Sequence, residues 1–169
     1  MKYPKKSYQV DTGGLRGELP LTNFQKQQIE QYIKSISLNN LKNLEIIRWV
    51  DNRQLNTAYS PGFDMLQIGS DVMPANQVNR QGTLTANTRI TWKGSIAHEL
   101  VGHREAALAN RTQSQEPLEE AQASIRAAKF TPLLTSTERY TLLRDAIARL
   151  YKAKIKIRQI KHLLHINNR

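Results

Sequence analysis

Apolar positions along the chain change period near its middle. Ile29, Tyr32, Ile33 and Ile36 recur at helical spacing, and Thr22 with Gln25 forms a capping box that starts a helix there. Asn39 and Asn40 end it. Leu44 to Val50 is β-branched and aromatic, which predicts a strand, and Asp64 to Ile68 predicts a second. Leu84 to Trp92 reads as a third strand, because Ile90 and Trp92 alternate with Arg89 and Thr91. Asn52 to Pro61 is polar and turn-like, and Asn76 to Gly82 reads as a loop. After Gly94 the pattern is helical, with segments at Ser95 to Ala109 and Glu116 to Lys129. Pro117 sits early in the latter, where its missing N–H costs little. A third helix starts near Thr135, which forms a second capping box with Glu138. Leu142, Leu143, Ala146, Ile147 and Leu150 give that helix an apolar stripe, and its pattern runs toward the C-terminal end. Strands first and helices afterwards predict the α+β class. Gly13, Gly14, Gly17, Pro4 and Pro20 make residues 1–20 an irregular leader, ahead of one domain over 21–150 and a basic helical tail over 151–169.

Composition narrows the chemistry more than the fold. The chain has 169 residues, enough for one domain, and its 39% hydrophobic content argues against wholesale disorder. It has no cysteine, so disulfides, thiol catalysis and cysteine zinc sites are excluded, and any metal must be held by His, Asp or Glu. No stretch approaches twenty apolar residues, so no membrane span is expected. No signal peptide is visible, since the basic residues of Met1 to Val10 precede no apolar core. The formal charge is +11. Lys152, Lys154, Lys156, Arg158, Lys161 and Arg169 lie in the tail without an acid among them. A basic end of this kind suits nucleic acid, an anionic surface or an acidic partner, and equally suits a solvated helix face. Few aromatics interleave with it, which weakens single-strand binding.

The informative segment is His98-Glu99-Leu100-Val101-Gly102-His103. Two imidazoles with a carboxylate beside the first are what a hydrolytic zinc site uses: the histidines hold the ion and the glutamate takes a proton from bound water. In the familiar H-E-x-x-H form the histidines are four apart and share a helix face. Here they are five apart, so a regular helix would splay them by roughly 140°. A single π-turn brings them together, and Gly102 eases that distortion. A third ligand is available downstream in Glu119 or Glu120, with Ser124 one turn on to hydrogen-bond a ligand histidine. The plainer readings are that Glu99 pairs with His103 across the helix surface and that the two acids complement a helix N-terminus.

His98 to His103 resembles the HELLGH motif of the dipeptidyl peptidase III family, zinc metallopeptidases with the same five-residue spacing. That family carries a downstream E-E-C-R-A-E motif whose second glutamate binds zinc, and Glu119-Glu120-Ala121-Gln122-Ala123-Ser124 is similar in outline. The resemblance spans about 27 residues. It implies Zn²⁺ as cofactor, His98, His103 and Glu120 as its ligands, Glu99 as general base and a zincin-like fold. The chain departs from the motif at Ser124, where the family has an acid, and in the short gap between motifs. A second resemblance covers Ala86 to Ile90, Ile96 to Leu108, Leu118 to Ala128 and Glu138 to Leu150, which together look like a C-terminal toxin module of Rhs-type and other polymorphic bacterial toxins. It implies delivery as part of a longer secreted protein and a cognate immunity protein.

The expected activity is therefore zinc-dependent hydrolysis of a peptide bond, with Tyr140 or Tyr59 steadying the oxyanion and a substrate strand pairing along Asp64 to Ile68. A metal-dependent nuclease is the alternative favoured by charge. A non-enzymatic module with a buried His/Glu network is the other, and its mark would be an undistorted helix across Gly102.

Overall fold

Thr22 starts the first helix, α1 (Asn23–Ile36), through the expected reciprocal cap: its N–H donates to Gln25 Oε1 at 2.8 Å and its hydroxyl accepts from Gln25 N–H at 3.1 Å. The computed structural model describes residues 16–36, 43–50, 56–75 and 85–169. The expected helix stop at Asn39 and Asn40, the loop over 76–82 and most of the leader lie outside them. Ile29, Tyr32, Ile33 and Ile36 form the buried stripe of α1, as their spacing predicts.

This stripe packs with a three-stranded sheet in the main core. β1 (Ile46–Trp49) runs parallel to β3 (Met65–Ile68), and β2 (Ala58–Ser60) pairs antiparallel on the other side of β3. Two expectations change here. Asp64 to Ile68 is not an edge: β3 is central, with Leu66 and Ile68 fully buried. The edges are β1 and β2, and β2 lies in the stretch expected to be turn. A three-residue edge strand is held by backbone bonds to β3 and needs no apolar alternation, so its polar sequence gave no strand signal.

The third expected strand is also corrected. Ala86–Arg89 is a short helix, α2, and Trp92 opens α3 (Trp92–Ala97). Thr91 caps α3 by accepting from Gly94 N–H at 3.2 Å. Ile90 is buried and Trp92 packs half-buried against the core, but Thr91 is half-buried too, because this stretch is a cap between two helices. Arg16 fixes this junction. Its guanidinium donates to the carbonyls of Asp71, Val72, Asn87 and Ile90 and to Ser95 Oγ, at 2.6 to 3.0 Å. The last part of the segment read as leader is thus tied into the fold.

From α3 the chain continues through a π-helical segment, His98–Arg104, and a final α-turn, α4 (Glu105–Leu108). α5 (Glu116–Phe130) lies against the π segment and against α6 (Ser136–Lys152), whose Thr135–Glu138 capping box is present as expected. Of the stripe on α6, Leu142, Ala146 and Leu150 face the core, while Leu143 and Ile147 are exposed. α6 stops at Lys152, and Lys154 adopts a positive φ of 60° that turns the chain back. α7 (Ile157–Ile160) and a 3₁₀ turn follow, and Leu164 and Ile166 bury with Leu118, Ile125 and Leu150 in a second core. Lys152, Lys154, Lys156, Arg158 and Lys161 stay exposed. The α+β class read from the sequence holds for the described residues.

Gly102 sets how closely α5 approaches the π segment. A Cβ there would lie 2.5 Å from the Ala123 carbonyl oxygen and 2.8 Å from its carbonyl carbon. Both are backbone atoms and cannot rotate away. Gly102→Ala should therefore destabilise the fold by about 1–3 kcal/mol through overpacking; urea unfolding with an unchanged m-value and a lower midpoint is the expected result.

Candidate metal centre

The site is built on an offset in the π segment. The Glu105 N–H bonds the Leu100 carbonyl, a five-residue step in place of four. Residues five apart then lie one above the other, and His98 and His103 turn their Nε2 atoms toward each other at 3.1 Å. Glu120, in the first turns of α5, reaches both: Oε2 is 3.2 Å from His98 Nε2 and Oε1 is 3.4 Å from His103 Nε2. A tetrahedral ion with bonds of about 2.0–2.1 Å keeps its ligand atoms about 3.3 Å apart. The three groups therefore already have the separation of a shared ion's ligands.

The outer nitrogens define the ring protons. Ser124 Oγ donates to Asp145 Oδ2 at 2.9 Å, so it accepts from His98 Nδ1–H at 2.9 Å. His103 Nδ1–H donates to Glu119 Oε1 at 3.1 Å, and Glu119 Oε2 accepts the Gln113 N–H at 2.6 Å. With both Nδ1 atoms protonated, a neutral imidazole presents an Nε2 lone pair inward. Two lone pairs and a carboxylate facing one point require a cation between them, either a proton or a metal. Among protons, His103 is the seat: burial pulls its pKa down, but the bonds to Glu119 and Glu120 and the charge of Glu99 outweigh that and hold it at about 10. Burial pushes Glu120 up, yet His103 and His98 bring it well below the ordinary carboxylate range.

Asp145 and Arg149 close a ring behind the site. Arg149 Nε donates to Asp145 Oδ2 at 2.8 Å and Nη1 to Glu120 Oε2 at 3.1 Å. His98, Ser124, Asp145, Arg149 and Glu120 thus brace one another in a closed circuit. Arg149 holds its charge more firmly than usual: burial lowers its pKa, and Asp145 and Glu120 more than restore it. Neither Asp145 nor Arg149 was expected from the sequence. The signal was there in part, as an acid and a base at i,i+4 within the apolar stripe of α6, a position where a surface pair is out of place.

Glu99 groups with the same two histidines more loosely than Glu120 does. One ligand atom from each of His98, Glu99 and His103 lies within 4.8 Å of the others, a looser spacing than that of Glu120. Glu99 Oε2 accepts the Tyr59 N–H of β2 at 2.9 Å, which orients the carboxylate. Burial raises its pKa, opposed by His103 and His98. Such a carboxylate is more basic than an ordinary one, as a proton acceptor requires.

The oxyanion expectation fares differently. Tyr140 is 60% exposed and does not line the cleft. Tyr59 does line it, but its hydroxyl donates to Asp64 Oδ1 at 2.8 Å, and burial together with Asp64 pushes its pKa up to about 12. Asp64, at a positive φ of 45°, also accepts both Nε and Nη2 of Arg104 at 2.7 and 3.0 Å. That bidentate pair ties the β2–β3 turn to the π segment. His162 and His165 do not line the cleft, which measures about 410 Å³.

Nothing outside the molecule supplies a precedent. No protein-family model matches the chain, and no curated protein or solved structure is significantly similar to it.

The bracing circuit makes a quantitative expectation. Asp145→Asn keeps the volume but weakens the bonds to Ser124 and Arg149, and should lower affinity for added zinc about 10- to 100-fold. Chelator competition measures it, with an unchanged far-UV spectrum as control.

Proposed function

We propose that this chain is a zinc-dependent peptide hydrolase with a zincin-like arrangement, in which His98, His103 and Glu120 hold the metal and Glu99 is the general base. The observation that carries the reading is the convergence of both Nε2 atoms and the Glu120 carboxylate at 3.1 to 3.4 Å. That convergence exists only because of the π-turn, and an undistorted helix would have favoured a plain polar network. The donor set suits the ion: two imidazoles and one carboxylate are a standard catalytic zinc triad that leaves a position open. Zinc bound there supplies a polarised carbonyl and a water of lowered pKa.

The chain's own residues do the remainder. Glu99, held by the β2 backbone and more basic than usual, takes the proton from the attacking water and delivers it to the leaving amine. Ser124 and Glu119 keep each histidine in the tautomer with Nε2 free. β2, the sheet edge that lines the cleft through Ala58 and Tyr59, is the natural place for a substrate strand to lie.

Peptide is favoured over nucleic acid by the distribution of charge. The cleft carries Glu99, Glu116, Glu119 and Glu120, which repel a phosphate backbone, while the exposed lysines gather on the C-terminal segment. The setting as a delivered bacterial toxin with an immunity partner rests on the sequence resemblance and forms part of the same reading.

Two substitutions test it. Glu99→Gln should keep stoichiometric zinc and lower peptide hydrolysis by about 10²- to 10⁴-fold. His103→Ala should lose both metal and turnover. Purified wild-type protein without stoichiometric transition metal after gentle preparation would refute the proposal, and undiminished hydrolysis by Glu99→Gln would refute the role of that residue.

A further inference from the structure

α6 buries one side and leaves the other uncovered. At about 100° per residue, Tyr140, Leu143, Arg144, Ile147 and Tyr151 fall within an arc of about 100°. The four apolar members are 60, 39, 47 and 83% exposed, and the Arg144 guanidinium lies 5.7 Å from the centre of the Tyr140 ring. Leu142, Ala146 and Leu150 fill the two cores from the other side of the helix. Asp145 and Arg149, which brace the metal centre, lie roughly 150–170° round the helix from the middle of the exposed stripe. Large apolar side chains repeated every three or four residues on an uncovered helix face mark a contact surface.

The charge around this stripe has one sign. From Thr131 onward every exposed charged side chain is a cation: Arg144, Lys152, Lys154, Lys156, Arg158 and Lys161. The two acids of the same stretch are withdrawn. Glu138 bonds the Thr91 hydroxyl and the Thr135 N–H, and Asp145 is buried against Ser124 and Arg149. Lys152, Lys154 and Lys156 follow Tyr151 within five residues, so they border the C-terminal end of the stripe. Whatever covers this face must be apolar in its middle and anionic at its border. A second copy of a chain with net charge +11 brings the wrong sign. A nucleic acid pairs with the cations but gives Leu143 and Ile147 nothing to bury against. Four of the six cations are lysines, hydrated point charges that suit a diffuse anionic layer better than the bidentate pairing arginine makes with carboxylates. Tyrosines stand at both ends of the stripe, about 16 Å apart along the helix. Tyrosine is the residue type that settles where hydrocarbon meets headgroups.

We propose that the outer face of α6, with the lysines that follow it, docks on an anionic phospholipid membrane. Leu143 and Ile147 enter the acyl boundary, Tyr140 and Tyr151 lie at headgroup level, and Arg144 and the lysines pair with lipid phosphates. No helix among the described residues is long and apolar enough to cross a membrane, so the contact is at a membrane surface. α6 then lies in the plane of the bilayer with its Asp145 and Arg149 side turned away, which leaves the metal centre outside the contact. The inference is independent of the hydrolase reading.

The test is co-sedimentation of the full chain with vesicles of phosphatidylcholine alone and of an equal mixture of phosphatidylcholine and phosphatidylglycerol, at about 0.15 M salt. The chain should partition about tenfold or more in favour of the anionic vesicles. Leu143→Gln with Ile147→Gln keeps the charge and should lower that binding about tenfold. Lys154→Gln with Lys156→Gln should lower it severalfold. An unchanged far-UV spectrum and urea midpoint show that both variants fold. Ile147→Trp should shift its emission to the blue on mixing with the anionic vesicles, beyond any change from Trp49 and Trp92, which pack against the main core. Equal binding to both vesicle types, no binding to either, wild-type binding by the Leu143→Gln, Ile147→Gln variant, or no blue shift from Ile147→Trp would overturn the inference. Binding to duplex DNA or to poly-glutamate at the same salt, with none to the vesicles, would give this face another occupant and overturn it too.

Discussion

A seven-residue π-helical run, His98–Arg104, closed by the bond from the Glu105 N–H to the Leu100 carbonyl, carries the site. It replaces the regular four-residue step with a five-residue step and so rotates His103 onto the face of His98. A π-turn is less favourable than the α-helix it interrupts, and it survives where the surroundings hold it. Here they do. The Ala123 backbone lies against Gly102, where no side chain intervenes, and Arg104 is gripped by Asp64 from the sheet side. The distortion is thus pinned from two elements that the rest of the fold already fixes.

The second constraint is electrostatic. Two imidazole lone pairs and a carboxylate aimed at one point are unfavourable without a cation, and the protein surrounds them with groups that keep them so aimed. Ser124 and Glu119 take the outer ring protons, while Arg149 balances Glu120 from behind and Asp145 balances Arg149. Each charge in this circuit has a partner, which is what lets it lie largely out of water. Glu99 is held differently, through the Tyr59 backbone N–H. In the proposed reading, that asymmetry is what distinguishes Glu99 as proton carrier from Glu120 as ligand.

The sheet contributes little area yet decides the geometry of the cleft. β2 is three residues long, and it both orients Glu99 through Tyr59 N–H and forms the edge of the sheet that lines the cleft. Arg16 secures the opposite side by gathering four backbone carbonyls at the ends of short helical turns. The C-terminal segment, basic on its outside, closes a second core over α5 and α6 and so stiffens the helix that carries Glu120.

The amino-acid sequence by itself determined what depends on neighbours a few residues apart. Both capping boxes, the stripe of α1, the extent of α5, the start of α6 and the need for a bulge between His98 and His103 all follow from spacings of three to five residues. The ligand types open to any metal also followed, because the chain has His and Glu and no cysteine. Tertiary structure alone decided the rest. It made β3 central, drew a strand from polar residues at Ala58–Ser60, and turned the apparent strand before Trp92 into helix and cap. It also set Glu120 against both Nε2 atoms and Glu119 against the outer nitrogen of His103, brought in Asp145 and Arg149, committed the Tyr59 hydroxyl to Asp64 and left Tyr140 exposed. These outcomes rest on contacts between residues some ten to seventy positions apart, such as Arg16 with Asn87 and Tyr59 with Glu99. No local period encodes them, since the same short pattern is satisfied by several partners until the chain is packed.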